Sequence, residues 1–347
     1  MAGTERDERP AGAGPVLTGG VATGVGSMPG TDARESAALV VGELPDLPHV
    51  VELPGRGPGA DMVGRAAALL VDLHVDLQPS GWRLVDRPGM DERRARGYLG
   101  QDLDELEEHA DGVVGPVKLQ VTGLWTLAAA LQLPRGEPVL TDPGALRDLV
   151  ASFTEGVRLH VAELHKRLPG AFPVLQLDEP SLPAVLAGEV RRSSGATTVR
   201  AVAETAAEDV LHGLVDAVGA SVVVHCCAPR PPVDLLRRAG VAGLSIDLLL
   251  LGDSVDQELG EVVEAGLALL AGVVPALPSA AGVSDVRSTV EPVRRLWHRL
   301  GLDQERLSRQ VVVTPTCGLA GASPGYARAA LTRARDAAAA LAELEVQ

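Results

Sequence analysis

Aromatic side chains are nearly missing from this 347-residue chain: Phe, Trp and Tyr together make up 2%. Proteins that grip single-stranded nucleic acid use such rings as stacking platforms, so that class is a poor fit. Lysine is almost as scarce, with Lys118 and Lys166 the only two. Arginine carries the other positive charges, yet 31 basic residues stand against 46 acidic ones, for a net charge of −15. An acidic surface repels phosphate, which argues against nucleic acid and anionic membrane as partners. Cysteine occurs three times, as Cys226, Cys227 and Cys317. An odd number with two adjacent makes no disulfide framework and suits a reducing compartment. No apolar run is long enough to cross a membrane; the most apolar stretch, 262–277, is short and is interrupted by Glu264. The N-terminus is polar and acidic with no signal-like apolar segment, so the expected location is cytoplasmic. A content of 46% hydrophobic and 22% charged residues lies in the globular range and excludes wholesale disorder.

What is present is a rhythm. Eight short runs rich in Val, Leu and Ile recur, at 21–27, 49–53, 117–122, 173–178, 221–226, 243–248, 269–275 and 310–316. Near-continuous apolar runs bounded by Gly, Pro or a polar residue read as buried parallel strands. Between them lie stretches with helical spacing of apolar residues, at 61–77, 145–168, 202–218, 255–270, 286–300 and 324–344. Asp142-Pro143 and Ser323-Pro324 each read as an N-cap followed by Pro at the first helical position. Strand and helix in alternation predict an α/β protein, and eight such units predict a single closed (β/α)8 TIM barrel over 16–347, after a disordered tail at 1–15. An open doubly wound sheet is the second reading; it is weaker because no strand runs into a G-x-G-x-x-G loop. Two connections, 78–112 and 275–286, exceed ordinary loop length, and the first should hold a helix at 103–109.

In a parallel barrel, active sites lie at the C-terminal ends of the strands. The strand ends here carry Ser27, Glu52, Asp178 with Glu179, His225 with Cys226 and Cys227, Asp247, and Cys317. His225 and Cys227 are two residues apart and so share a face. With Cys317 from the eighth strand and Asp247 from the sixth, one His, two Cys and one carboxylate converge on one rim, a donor set that zinc accepts. The plainer readings stand beside this one. Isolated cysteines are often packing residues. Asp247, Asp178 and Glu179 can each be caps, Glu52 a loop carboxylate, Ser27 a turn residue and Trp125 a core residue. Cys226 should point away from the site and pack in the wall.

The set Val25-Gly26-Ser27, Asp178-Glu179-Pro180, His225-x-Cys227 and Cys317-Gly318-Leu319, together with Asp61-Met62-Val63, resembles the catalytic domain of the cobalamin-independent methionine synthase family. The resemblance runs through most of the chain, and the family's domain is a barrel of the uroporphyrinogen decarboxylase/methionine synthase type. It implies a zinc-dependent S-methyltransferase of methionine biosynthesis that converts homocysteine to methionine. His225, Cys227 and Cys317 match the zinc ligands, and Asp247 falls where the family has a glutamate ligand. Asp178 matches a carboxylate that holds the substrate amino group, Glu52 a second one, and Ser27 with Val25-Gly26 the segment around the amino-acid end. The implied partners are the small thiol homocysteine and a methyl donor, either methyltetrahydrofolate or a corrinoid carrier protein.

Four departures accompany the resemblance. The chain has room for one barrel, whereas full-length members carry two. Asp247 is one methylene shorter than glutamate. The family's histidine after strand seven is replaced by Val274-Pro275-Ala276-Leu277-Pro278, and Trp125 stands one position from the folate-side tryptophan. Three of these weaken methyltetrahydrofolate as the donor; the shorter carboxylate concerns the metal. Two other readings stay open: a catalytically degenerate zinc- or thiol-binding barrel with a regulatory role, and a decarboxylase or lyase on the same barrel.

Overall fold

The computed structural model describes residues 17–278 and 282–343, so the tail expected at 1–15 lies outside the described residues. Among the described residues nine strands form, in chain order: β1 (Val21–Ala22), β2 (His74–Gln78), β3 (Gly81–Val85), β4 (Gly115–Thr122), β5 (Ala171–Asp178), β6 (Ser221–Cys226), β7 (Gly243–Asp247), β8 (Ala268–Val274) and β9 (Val311–Pro315). Seven of them make one parallel sheet in the order β1-β9-β8-β7-β6-β5-β4, and β2 pairs with β3 as an antiparallel hairpin.

The gap between β1 and β4 is filled by residues 49–52. These make parallel bridges from His49 to Lys118 and from Glu52 to Ser27. Val50 N donates to Lys118 O at 2.9 Å, Glu52 N to Gly26 O at 3.2 Å, and Met28 N to Glu52 O at 2.8 Å. The sheet therefore closes on itself, and the eight runs read from the sequence are its eight staves.

Strand alternation explains both layers of the core. Val117, Leu119 and Val121 of β4, Leu175 and Leu177 of β5, and Val222 and Val224 of β6 face outward into the large strand–helix core. The inward set begins with a separate apolar plug of Leu17, Leu47, Val174, Val223, Leu270 and Val312 at the N-terminal end of the barrel. Further along, the same inward parity turns polar: Lys118 and Gln120, Gln176 and Asp178, His225, Ser245, Thr314. All of these are buried. Cys226 has the outward parity of Val224 and no exposure.

The helices are α1 (Ala33–Glu43), α2 (Met62–Ala67), α3 (Met90–His109), α4 (Leu124–Ala130), α5 (Pro143–Arg167), α6 (Leu182–Ala187), α7 (Glu204–Val218), α8 (Val233–Arg238), α9 (Asp256–Glu264), α10 (Val286–Leu300), α11 (Glu305–Gln310) and α12 (Pro324–Glu343). Asp142 caps α5 through Gly144 N and Ala145 N, with Pro143 at its first position, and Ser323 Oγ accepts from Tyr326 N at the start of α12.

Three expectations need correction. The helix expected over 61–77 stops at Ala67, and 74–85 forms the hairpin. Val75, Leu77, Trp82 and Leu84 alternate around a turn at Pro79-Ser80, and the buried Trp82 ring packs on α2 while its Nε1 donates to Asp61 at 3.0 Å. Helix α9 ends at Glu264, because Gly266 takes φ +84° and starts the turn into β8. The helix expected at 103–109 is the last third of the longer α3.

Candidate metal and substrate site

Three chemistry-bearing side chains meet at the C-terminal mouth of the barrel. His225 points inward from β6, Cys227 follows two residues later, and Cys317 lies two residues beyond β9. One donor atom from each lies within 4.8 Å of the others. The two sulfurs are 3.7 Å apart. His225 Nδ1 is 2.9 Å from Ser245 Oγ, its register neighbour on β7. Its Nε2 is buried with no hydrogen-bond partner. A ring fixed through Nδ1 with Nε2 bare is how a metal-ligating histidine is prepared.

The sulfur pair shares its charge unevenly. Contact with the Cys227 thiol, and then with His225, draws Cys317 down to about 4, while the same contact and burial push Cys227 up. Two cysteine sulfurs beside an imidazole make a soft donor set that suits zinc. Asp247 ends β7 at the same rim but stands outside this three-residue group among the described residues. Its Oδ1 accepts from Leu249 N at 2.9 Å, and burial raises its pKa.

Beside His225, Asp178 at the end of the adjacent strand β5 is its register neighbour. Burial lifts its pKa from 3.8 to about 7, with Glu52 pushing the same way and His225 opposing. Glu52 is also buried and raised, held against this by Arg65 at 3.4 Å. Arg65 in turn hydrogen-bonds Asp102 of α3, which also takes Arg56 at 2.8 Å, and the Arg56 guanidinium lies 4.4 Å over the Tyr98 ring. Ser27 closes the ring: Leu319 N donates to its carbonyl at 2.8 Å, and a Cβ on Gly318 would lie 2.0 Å from Ser27 Oγ. Only glycine lets these two segments approach so closely.

Two of the residues weighed from the sequence, Glu179 and Trp125, belong to the scaffold. Glu179 has no exposure and accepts from Trp125 N (2.9 Å), Thr126 N (2.8 Å) and Thr126 Oγ1 (2.7 Å), which caps α4. Trp125 is itself buried in the core. Lys118, Gln120 and Gln176 went unremarked as site residues in the sequence. The signal was there in the alternation Val117-Lys118-Leu119-Gln120-Val121, where long polar residues hold the inward parity of a buried strand.

The Cobalamin-independent synthase, Catalytic domain family matches residues 115–340. The chain belongs to that family. The matched span contains Asp178, His225, Cys227, Asp247 and Cys317, while Ser27 and Glu52 precede it. Among solved structures, the chain is similar in fold to a B12-independent methionine synthase from Shewanella sp. W3-18-1 in complex with selenomethionine. The likeness has a TM-score of 0.62 at 10% identity and covers 94% of this chain and 99% of that one. No curated protein matches the chain. Among the described residues no helix is long and apolar enough to cross a membrane.

Proposed function

We propose that this chain is a zinc-dependent S-methyltransferase that forms methionine from homocysteine. The observation that carries the reading is the convergence of the unpartnered His225 Nε2 with the Cys227 and Cys317 sulfurs at the barrel mouth. The residues fit the metal: two soft sulfurs, one borderline nitrogen already oriented from behind, and a rim carboxylate as a fourth candidate. His225, Cys227 and Cys317 would hold the ion, with the Asp247 carboxylate at the same rim as the candidate fourth ligand. A zinc ion held by these residues would supply the acidity that keeps a substrate thiol deprotonated at neutral pH, the form that can accept a methyl group as the donor's bond to that methyl breaks.

The rest is done by the chain itself. Asp178 and Glu52 are both buried carboxylates with raised pKa values, and Glu52 adds to the rise at Asp178, so a subsite beside them favours a cation. The substrate ammonium supplies it through charge-assisted hydrogen bonds. Ser27 and the Val25-Gly26 backbone hold the amino-acid end. The similar structure is a complex with selenomethionine, an amino acid that carries the ammonium such a subsite would take. Beyond β8 the chain reads Val274-Pro275-Ala276-Leu277-Pro278, with no imidazole to protonate a folate leaving group. That favours a corrinoid carrier protein over methyltetrahydrofolate as the donor. A porphyrinogen decarboxylase would need free cations at the mouth, whereas Lys118 and Arg65 are already engaged.

The test is zinc per chain by elemental analysis on wild type and Cys317→Ser, with methionine formation assayed from homocysteine and either methyl donor. We expect about one zinc in the wild type, a clear loss in the variant, and turnover with one donor. Absence of zinc from both, in folded and reduced protein, overturns the reading. Homocysteine binding without turnover by any donor supports the regulatory alternative.

A further inference from the structure

Beneath the carboxylates that would face the substrate lies a buried pair with no role so far. Lys118 Nζ donates to Val25 O at 2.9 Å and to Gln176 Oε1 at 2.9 Å. Gln176 Nε2 donates to the same Val25 O at 2.8 Å and to Asp178 Oδ1 at 2.7 Å. Both side chains are essentially without exposure. We infer that Lys118 and Gln176 are positioning residues that set both walls of the amino-acid subsite, the Asp178 carboxylate on one side and the Val25-Gly26-Ser27 backbone on the other. The inference rests on the reading of Asp178 as the partner of the substrate ammonium.

The chemistry of the donors makes the arrangement directional. An ammonium only donates, so the oxygen of the Gln176 amide must face Lys118. That leaves the amide nitrogen facing Asp178, with its two hydrogens spent on Asp178 Oδ1 and Val25 O. Without Lys118 the amide is free to flip, and its oxygen would then oppose the carboxylate. With Oδ1 occupied, Asp178 offers Oδ2 to the incoming ammonium in one orientation. Val25 O, gripped by two donors, fixes the start of a segment that has little room elsewhere. Gly26 has φ +153°, and a Cβ there would lie 2.6 Å from the Gln120 side chain. One buried cation thus orders the acidic wall through an amide and the backbone wall directly.

The experiment is calorimetric binding to the zinc-loaded protein. Homocysteine is compared with propanethiol, which offers the same thiol but neither the ammonium nor the carboxylate. The proteins are wild type, Lys118→Met, Gln176→Leu and Asp178→Asn, with zinc content measured for each. Lys118→Met and Gln176→Leu should each weaken homocysteine by about tenfold or more, the worth of a hydrogen bond to a charged group. Propanethiol affinity and zinc content should match wild type. If homocysteine binds both variants as it binds wild type while Asp178→Asn loses it, the pair positions nothing and the inference falls. A parallel loss of propanethiol shows a merely structural role and also overturns it. If Asp178→Asn itself binds homocysteine normally, the reading of Asp178 has failed and the inference falls with it, for that separate reason. Should Lys118→Met not fold, Gln176→Leu decides alone, since it leaves Lys118 its bond to Val25.

Discussion

His225 Nδ1 and Ser245 Oγ lie 2.9 Å apart across neighbouring strands, and the ring's other nitrogen is left bare toward two sulfurs. The serine is not one of the three donor residues, yet it decides which imidazole nitrogen can bind a metal. Ser245→Ala removes that anchor without opening the site. Metal affinity is expected to fall about 10- to 100-fold, as for other partners that orient a ligating histidine. Competition for zinc against a chromogenic chelator measures it. Unchanged affinity would mean that strand packing alone holds the ring.

Asp102 is the hub of a buried ion network, with Arg65 and Arg56 both on it and Arg65 reaching on to Glu52. All of these side chains are nearly or fully buried. Removing one acid leaves two cations short of a partner in a place water cannot reach. Asp102→Ala should therefore cost about 3–5 kcal/mol in urea unfolding. It should also raise the KM for homocysteine, because Arg65 would then be free to neutralise Glu52. A stability loss with KM unchanged would separate the network from the substrate.

The barrel was legible because its strands are buried on both faces and its eight apolar runs survive as a pattern. Even the run at 49–53, which forms only isolated bridges, stood out by composition. Helix α1 was missed although Asp32 and Glu35 stand at the spacing of a capping box and Asp32 Oδ1 does accept from Glu35 N. The hairpin at 74–85 was hidden because its apolar residues continue a helical spacing from α2 until Pro79 interrupts it. Within the site, the histidine and cysteines announce themselves by residue type. Lys118 and Gln176 do not, since what matters about them is the atom each one faces, and that emerges only when β4 and β5 lie side by side. Glu179 makes the opposite point. Its sequence neighbour Asp178 faces the mouth, while it turns back to cap α4.

Gly318 follows Cys317, and a Cβ there would meet Ser27 Oγ at 2.0 Å but Ser27 Cβ only at 3.3 Å. The clash is with one hydroxyl. Gly318→Ala should lose about 1–3 kcal/mol of stability by overpacking. Adding Ser27→Ala should recover much of that loss, which a double-mutant cycle reads as a coupling between the two sites. Additive effects would show that the loop after β9 yields in some other way. Because Cys317 is the adjacent residue, zinc content should follow the same pattern as stability.

Asp178 ties stability to pH in a direction unusual for a carboxylate. Burial lifts its pKa from 3.8 to about 7. Between those values the folded protein holds a proton that the unfolded chain releases, so raising the pH through that window destabilises the fold. Above it the whole cost is present; below about 4 it vanishes. Asp178→Asn removes the charge and keeps an oxygen to accept from Gln176. Metal-free Asp178→Asn should therefore be more stable than wild type by about 1–3 kcal/mol near pH 8, with the gap shrinking toward pH 5. Urea unfolding at both pH values decides it. A gap that is independent of pH, or that favours wild type near pH 8, would mean that the carboxylate is stabilised as an anion by the nearby cations. The same exchange would operate in binding, since an ammonium seated beside Asp178 takes the place of its proton.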